Sequence, residues 1–161
     1  MTVLEVIQRS TDFLSRKGLD SPRLQAELLL AQLLQMPRMK LYLNFERPLT
    51  SAEENGFRDL VTRRGKREPL QQIIGSTSFC GFEIAVNRHV LVPRPETELL
   101  AENGWIFLNQ LVTSNSQAPT ALDFGTGSGC LAIALAGKCP GARVYAVDIS
   151  REALELARQS A

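Results

Sequence analysis

The sequence predicts an α/β protein in three parts: a helical bundle over residues 1–75, a β-hairpin linker over 76–93, and the start of a doubly wound parallel-sheet domain over 94–161. Three observations carry this prediction. Apolar residues recur at helical spacing as far as Val61, and between Ser76 and Val92 the period drops to two. The stretch Leu122–Gly129 (LDFGTGSG) then runs an apolar strand end into three glycines and opens an apolar helix.

Thr2 and Glu5 have capping-box spacing, and Val3, Val6, Ile7, Phe13 and Leu14 form the apolar stripe of a first helix that Gly18 terminates. Ser21 before Pro22 reads as an N-cap with proline at the first helical position. It opens a leucine-rich helix whose stripe is Leu24, Leu28, Ala31 and Leu34. Met39, Leu41, Tyr42, Leu43 and Phe45 suggest a short third helix. Thr50 and Glu53 cap a fourth, which carries Phe57, Leu60 and Val61.

That fourth helix ends in Arg63-Arg64-Gly65-Lys66-Arg67. Basic residues favour a helix C-terminus and stay solvated there, but the same run would also suit an acidic partner or RNA. Residues Glu68 to Gly75 are expected to leave the bundle. Phe79, the Cys80-Gly81 pair and Phe82–Val86 read as a hairpin, with a further short strand at Val90–Val92. His89, the only histidine, has no acid or cysteine partner nearby in sequence and is assigned no role. In LVPRPETE, Leu91 to Glu98, two prolines hold the backbone around Arg94 extended before a helix that carries Leu99, Leu100, Ile106, Phe107 and Leu111. A loop at Thr113–Pro119 leads to the glycine-rich strand.

Thr120–Leu122 is the strand, and Asp123 sits at its carboxyl end before Gly125, Gly127 and Gly129. Cys130–Ala136 is the crossover helix. The next apolar run, Arg143–Val147, ends in Asp148, and Ser150 is positioned to cap a helix over Arg151–Ala161. A dinucleotide site spaces its glycines G-x-G-x-x-G, whereas here the third glycine comes one position early and Cys130 takes its place. Asp123 would also repel a pyrophosphate, yet it suits a ligand bearing positive charge. S-adenosylmethionine meets these needs with a sulfonium, an ammonium and two ribose hydroxyls for Asp148. The D-x-G-x-G-x-G pattern with an acid at the next strand tip resembles the Rossmann-like class I methyltransferases.

The composition bounds the rest. A net charge of +1 on 161 residues argues against a strongly basic nucleic-acid binder, so direct nucleic-acid binding is not expected. Cys80, Cys130 and Cys139 are odd in number and lack metal-ligand spacing, which predicts no metal site and a reducing compartment. The N-terminus has no basic leader and apolar core of a signal peptide, and no run reaches the roughly 18 apolar residues of a membrane span.

The order of SPRLQAELLLA at 21–31, REPLQQIIG at 67–75, F-x-G-F at 79–82, LVPRPETE at 91–98 and LDFGTGSG at 122–129 closely resembles the HemK/PrmC family across essentially the whole chain. These are protein methyltransferases that modify a glutamine of peptide chain release factors. The resemblance implies a helical domain that recognises the release factor, a hairpin linker and a Rossmann-like domain that binds S-adenosylmethionine. Carried over by position, Gly125, Thr126, Gly127, Ser128 and Gly129 form the cofactor loop and Asp148 holds the ribose. Asp123 orients the methionine moiety, and Arg94, Glu96 and Thr97 border the pocket. It further implies a cytoplasmic monomer, or one in an organellar matrix if the source is eukaryotic.

The family's substrate-binding Asn-Pro-Pro-Tyr is absent, since no asparagine precedes any of the eight prolines. The expectation is therefore the front half of such an enzyme, inactive alone, with no catalytic residue within 1–161. An adenine-N6 nucleic-acid methyltransferase, a non-catalytic release-factor-binding module and a dinucleotide oxidoreductase are the alternatives.

Overall fold

A computed structural model describes residues 1–114 and 117–161; Asn115 and Ser116, within the expected Thr113–Pro119 loop, lie outside the described residues. The chain divides into two compact units, Met1–Ile74 and Gly75–Ala161.

The first unit is helical. Helix α1, Val3–Arg16, opens on the expected capping box: the Glu5 N–H donates to Thr2 Oγ1 at 3.3 Å and the Glu5 carboxylate accepts the Thr2 N–H at 2.8 Å. Two further amides of its first turn, at Val3 and Leu4, donate to the Arg47 and Phe45 carbonyls, so the helix start is tied to the chain that follows α3, Arg38–Tyr42. Helix α4, Ser51–Gly65, repeats the capping box with Thr50 and Glu53. Val3, Val6, Ile7 and Leu14 of α1 bury against Phe57 and Val61 of α4, as the apolar stripes predict.

Three expectations for this unit need correction. Pro22 does open α2, Pro22–Leu33, but Ser21 is left-handed at φ 46° and its side chain caps nothing. The following proline disfavours the right-handed helical region for Ser21. The stripe of α2 holds only in part: Ala31 is buried and Leu28 and Leu34 are partly buried, but Leu24 is exposed and Ala26, Glu27, Leu29 and Leu30 complete the buried face. Leucines and alanines at 24, 26, 28–31 and 33–34 offer more than one candidate stripe, and the structure buries the one that carries Ala26, Leu29 and Leu30. Finally, the chain from Glu68 does not leave the bundle until Gly75. After Pro69 the chain turns into α5, Leu70–Ile74, and Ile73 joins the first core.

The second unit begins with the hairpin. Strands β1, Ser76–Phe79, and β2, Phe82–Ala85, pair antiparallel with Phe79 opposite Phe82. The two turn residues, Cys80 at φ 50° and Gly81 at φ 86°, both adopt the left-handed conformation that a two-residue hairpin turn needs. The Cys80 N–H donates to Glu98 at 2.8 Å, which fastens the turn to the start of α6, Pro95–Ser114. The short strand expected at Val90–Val92 does not form. The Val90 N–H donates to the Asn87 carbonyl at 3.3 Å in a turn, and the chain runs on irregularly with Val90 buried and Leu91 exposed.

Strands β3, Thr120–Phe124, and β4, Arg143–Val147, are parallel neighbours joined by the crossover helix α7, Cys130–Lys138. Helix α8, Arg151–Ala157, follows, capped as expected by Ser150, whose Oγ accepts the Ala153 N–H. On one face of this ribbon Ala121 and Val144 pack with Leu108 and Leu135. The opposite face, which carries Leu122, Phe124 and Tyr145, is exposed. Phe79, Ile84, Ala101, Ala134, Ala153 and Leu156 form the core that holds the hairpin against α6, α7 and α8.

Candidate functional site

The loop Gly125–Gly129 is shaped by main-chain bonds to the end of β4. The amides of Gly125 and Thr126 both donate to the Val147 carbonyl, at 2.8 and 3.0 Å, and the Gly129 N–H donates to the Thr126 carbonyl. Gly125, Gly127 and Gly129 all have positive φ. A Cβ built on Gly125 or Gly127 would meet nothing within 4 Å, so both face open space. A Cβ on Gly129 would lie 2.9 Å from the Cβ of Ala157. The third glycine therefore lets α8 approach, while the first two leave a cradle for a ligand.

Two carboxylates brace this cradle. Asp123 Oδ2 accepts the Thr126 hydroxyl at 2.6 Å and the Ala132 N–H at 3.3 Å. Asp148 accepts the Ser150 N–H on Oδ1 at 2.9 Å and the Gly127 N–H on Oδ2 at 2.8 Å. Those main-chain donors, Ser150 foremost and then Gly127, hold the Asp148 carboxyl below its ordinary range. Thr126 and Ser128 are buried polar residues of the loop.

These groups line one pocket of about 480 Å³, within the usual range for small-molecule sites. Gly125, Thr126, Gly127, Ser128, Asp123 and Asp148 all border it, together with Arg94 and Thr97. Glu96 does not, and Gly129 borders instead a larger groove of about 610 Å³. That groove is walled by residues such as Phe82, Ile133, Val144 and Leu154 and contains no acid. It is therefore poorly equipped to hold a cationic ligand, whatever its size.

Several pocket residues were not foreseen. His89 borders the pocket, as do Leu91, Cys130 and Ser150. The signal for His89 was its position two residues before LVPRPETE, a proximity that a search for acid or cysteine partners does not register. Burial pushes the Cys130 thiol up, and the charge of Asp123 adds to this, so Cys130 is poorly suited to act as a nucleophile. Among the described residues no group of three histidines, cysteines or acids could hold a metal ion, and no helix is long and apolar enough to cross a membrane.

Most of the basic run at 63–67 is hydrogen-bonded within the bundle itself. Arg63 pairs with Glu68, Arg64 donates to Gln25 Oε1 and to the Glu68 carbonyl, and Arg67 donates to the Lys17 carbonyl. Three of its four charges thus serve the bundle's own structure.

Comparison with known proteins divides the chain at a similar place. Residues 5–75 match the PrmC N-terminal domain and residues 102–161 match the methyltransferase small domain. A release factor glutamine methyltransferase of Chlorobaculum tepidum is 44% identical across 99% of this chain and 54% of its own length. A protein of the same name from Rhodopirellula baltica is 42% identical across 98% of this chain and 53% of its own. A bifunctional methyltransferase of Rickettsia felis is 34% identical across 99% of this chain and 34% of its own. The chain spans about half the length of the release factor glutamine methyltransferases it matches.

Proposed function

We propose that the chain is a member of the HemK/PrmC family and carries the partner-recognising and cofactor-holding parts of an enzyme that methylates a glutamine side chain of peptide chain release factors. The observation that carries this reading is the pair of strand-tip acids, Asp123 and Asp148, braced on either side of a glycine cradle in one pocket.

S-adenosylmethionine fits that pocket chemically. Each oxygen of Asp148 accepts one main-chain N–H, and a carboxylate has about four acceptor sites, so capacity remains for two ribose hydroxyls. Asp123 uses Oδ2 to fix the loop and keeps Oδ1 for an ammonium group. Arg94, the one arginine or lysine among the described lining residues, complements the methionine carboxylate. Bound there, the cofactor supplies a methyl group made electrophilic by the sulfonium.

The chain's own contribution is binding and positioning. An amide nitrogen is a poor nucleophile because its lone pair is delocalised, so the reaction depends on holding the amide in line with the methyl group. No residue within 1–161 is assigned as a general base. The helical bundle over residues 1–75 is proposed to hold the release factor, and the cytoplasm is the proposed location.

Parallel calorimetric titrations of the purified chain with S-adenosylmethionine and NADH test the cofactor reading. Saturable binding of S-adenosylmethionine alone is expected, and weakened about 10- to 100-fold in Asp148→Ala. NADH binding that depends on Asp148 would overturn it.

A further inference from the structure

Glu27 lies in the middle of SPRLQAELLLA yet is only 2% exposed. Its carboxylate is anchored from two elements. Arg23 of α2 donates to Oε1 at 3.0 Å and Arg38 of α3 to Oε2 at 2.8 Å, while the Tyr42 hydroxyl of α3 lies within 3.0 Å of both oxygens. A buried carboxylate with this many donors ties the five-residue α3 to α2. The tie holds on the surface an element that buries only Leu41.

Apart from Met1, every exposed large apolar residue described in the first unit sits on or beside this junction: Leu24, Met39, Tyr42 and Leu43, with Leu43 85% and Met39 66% exposed. Two half-exposed guanidiniums share a single carboxylate, so the junction keeps a net positive charge. Tyrosine, methionine and arginine are the residues enriched where proteins meet, and exposed apolar clusters mark such places.

We propose that the junction of α2 and α3, centred on Arg38, Met39, Tyr42 and Leu43, is the surface that docks the release factor, through a segment of it that pairs carboxylates with apolar side chains. The proposal rests on the reading that the bundle recognises a release factor, and it names the face that does so. Positive charge beside Met39 and Leu43 selects acidic, apolar partners and disfavours basic ones. Glu27 acts only by holding α3 in place.

Binding of a purified release factor to the full 161-residue chain, measured by calorimetry at two salt concentrations, tests this. Leu43→Asp is expected to weaken binding by about tenfold or more, Leu43→Lys by much less, and Arg58→Glu on α4 by less than about twofold. Added salt should weaken wild-type binding. Circular dichroism and S-adenosylmethionine affinity check that each variant is folded. Wild-type affinity in Leu43→Asp, or an equal loss in Leu43→Lys, overturns the docking surface while the wider reading stands. A wild-type chain that binds S-adenosylmethionine but no release factor overturns both. A concentration-dependent dimer that Leu43→Asp dissolves assigns the patch to self-association and also overturns the proposal.

Discussion

Both oxygens of Asp148 accept from the main chain, which fixes the carboxylate's direction before any ligand arrives. Asp148→Ala removes charge-assisted hydrogen bonds to the ribose and should weaken S-adenosylmethionine binding about 10- to 100-fold in calorimetry. The pH dependence follows from the lowered pKa. The contribution of this carboxylate to stability is complete above the ordinary aspartate value of about 3.9. It is lost only as pH falls through the lower folded-state value, so loop stability should stay flat between neutrality and about pH 5 and decline in stronger acid. The glycines separate in the same manner. Gly129→Ala forces a Cβ against Ala157 in a left-handed backbone and should cost at least about 1–2 kcal/mol in urea unfolding. Gly127→Ala carries the backbone penalty without the clash, but its Cβ projects into the open cradle, so its distinguishing loss should be in cofactor affinity.

Among the helices, α1 and α4 each start on a reciprocal cap, and Thr50→Ala should destabilise the bundle by about 1 kcal/mol in thermal or urea unfolding. Both caps were legible because a capping box is a local pattern of two side chains three residues apart. The basic end of α4 was ambiguous for the opposite reason. Arg64 and Arg67 find partners at Gln25 and Lys17, 39 and 50 residues away, contacts that no local pattern encodes. Arg63→Ala should cost up to about 1 kcal/mol of stability and leave RNA retention on a filter unchanged. In the hairpin, the Cys80-Gly81 turn could be read from its position between alternating runs. The absence of a strand at Val90–Val92 could not, because strand formation depends on a neighbouring edge as well as on apolar composition.

Taken together, the chain has two units with no core residue in common, and they differ in how well their apolar surface is covered. The bundle surrounds one core, whereas β3 and β4 leave Leu122, Phe124 and Tyr145 exposed on one face. A parallel sheet is normally covered on both faces. Hydrogen exchange should therefore protect the amides of α1, α2 and α4 more strongly than those of β3 and β4. The bare face should bind an apolar dye such as ANS, and Phe124→Glu should reduce that fluorescence. Equal protection in both units would refute this ranking.

What the linear order of residues fixed was encoded over a few positions: the two capping boxes and the Ser150 cap, the hairpin turn, the strand–glycine–helix sequence, and acids at two strand tips. It also placed Gly125–Ser128 and Asp148 together, because a parallel βαβ unit brings the ends of adjacent strands to one edge. Folding in three dimensions settled which face of α2 is buried, that Glu27 anchors α3, that His89 joins the pocket, and that Gly129 serves helix packing. Each of these depends on contacts between residues distant in sequence or on different elements, and their energies arise only when the surrounding elements have excluded water.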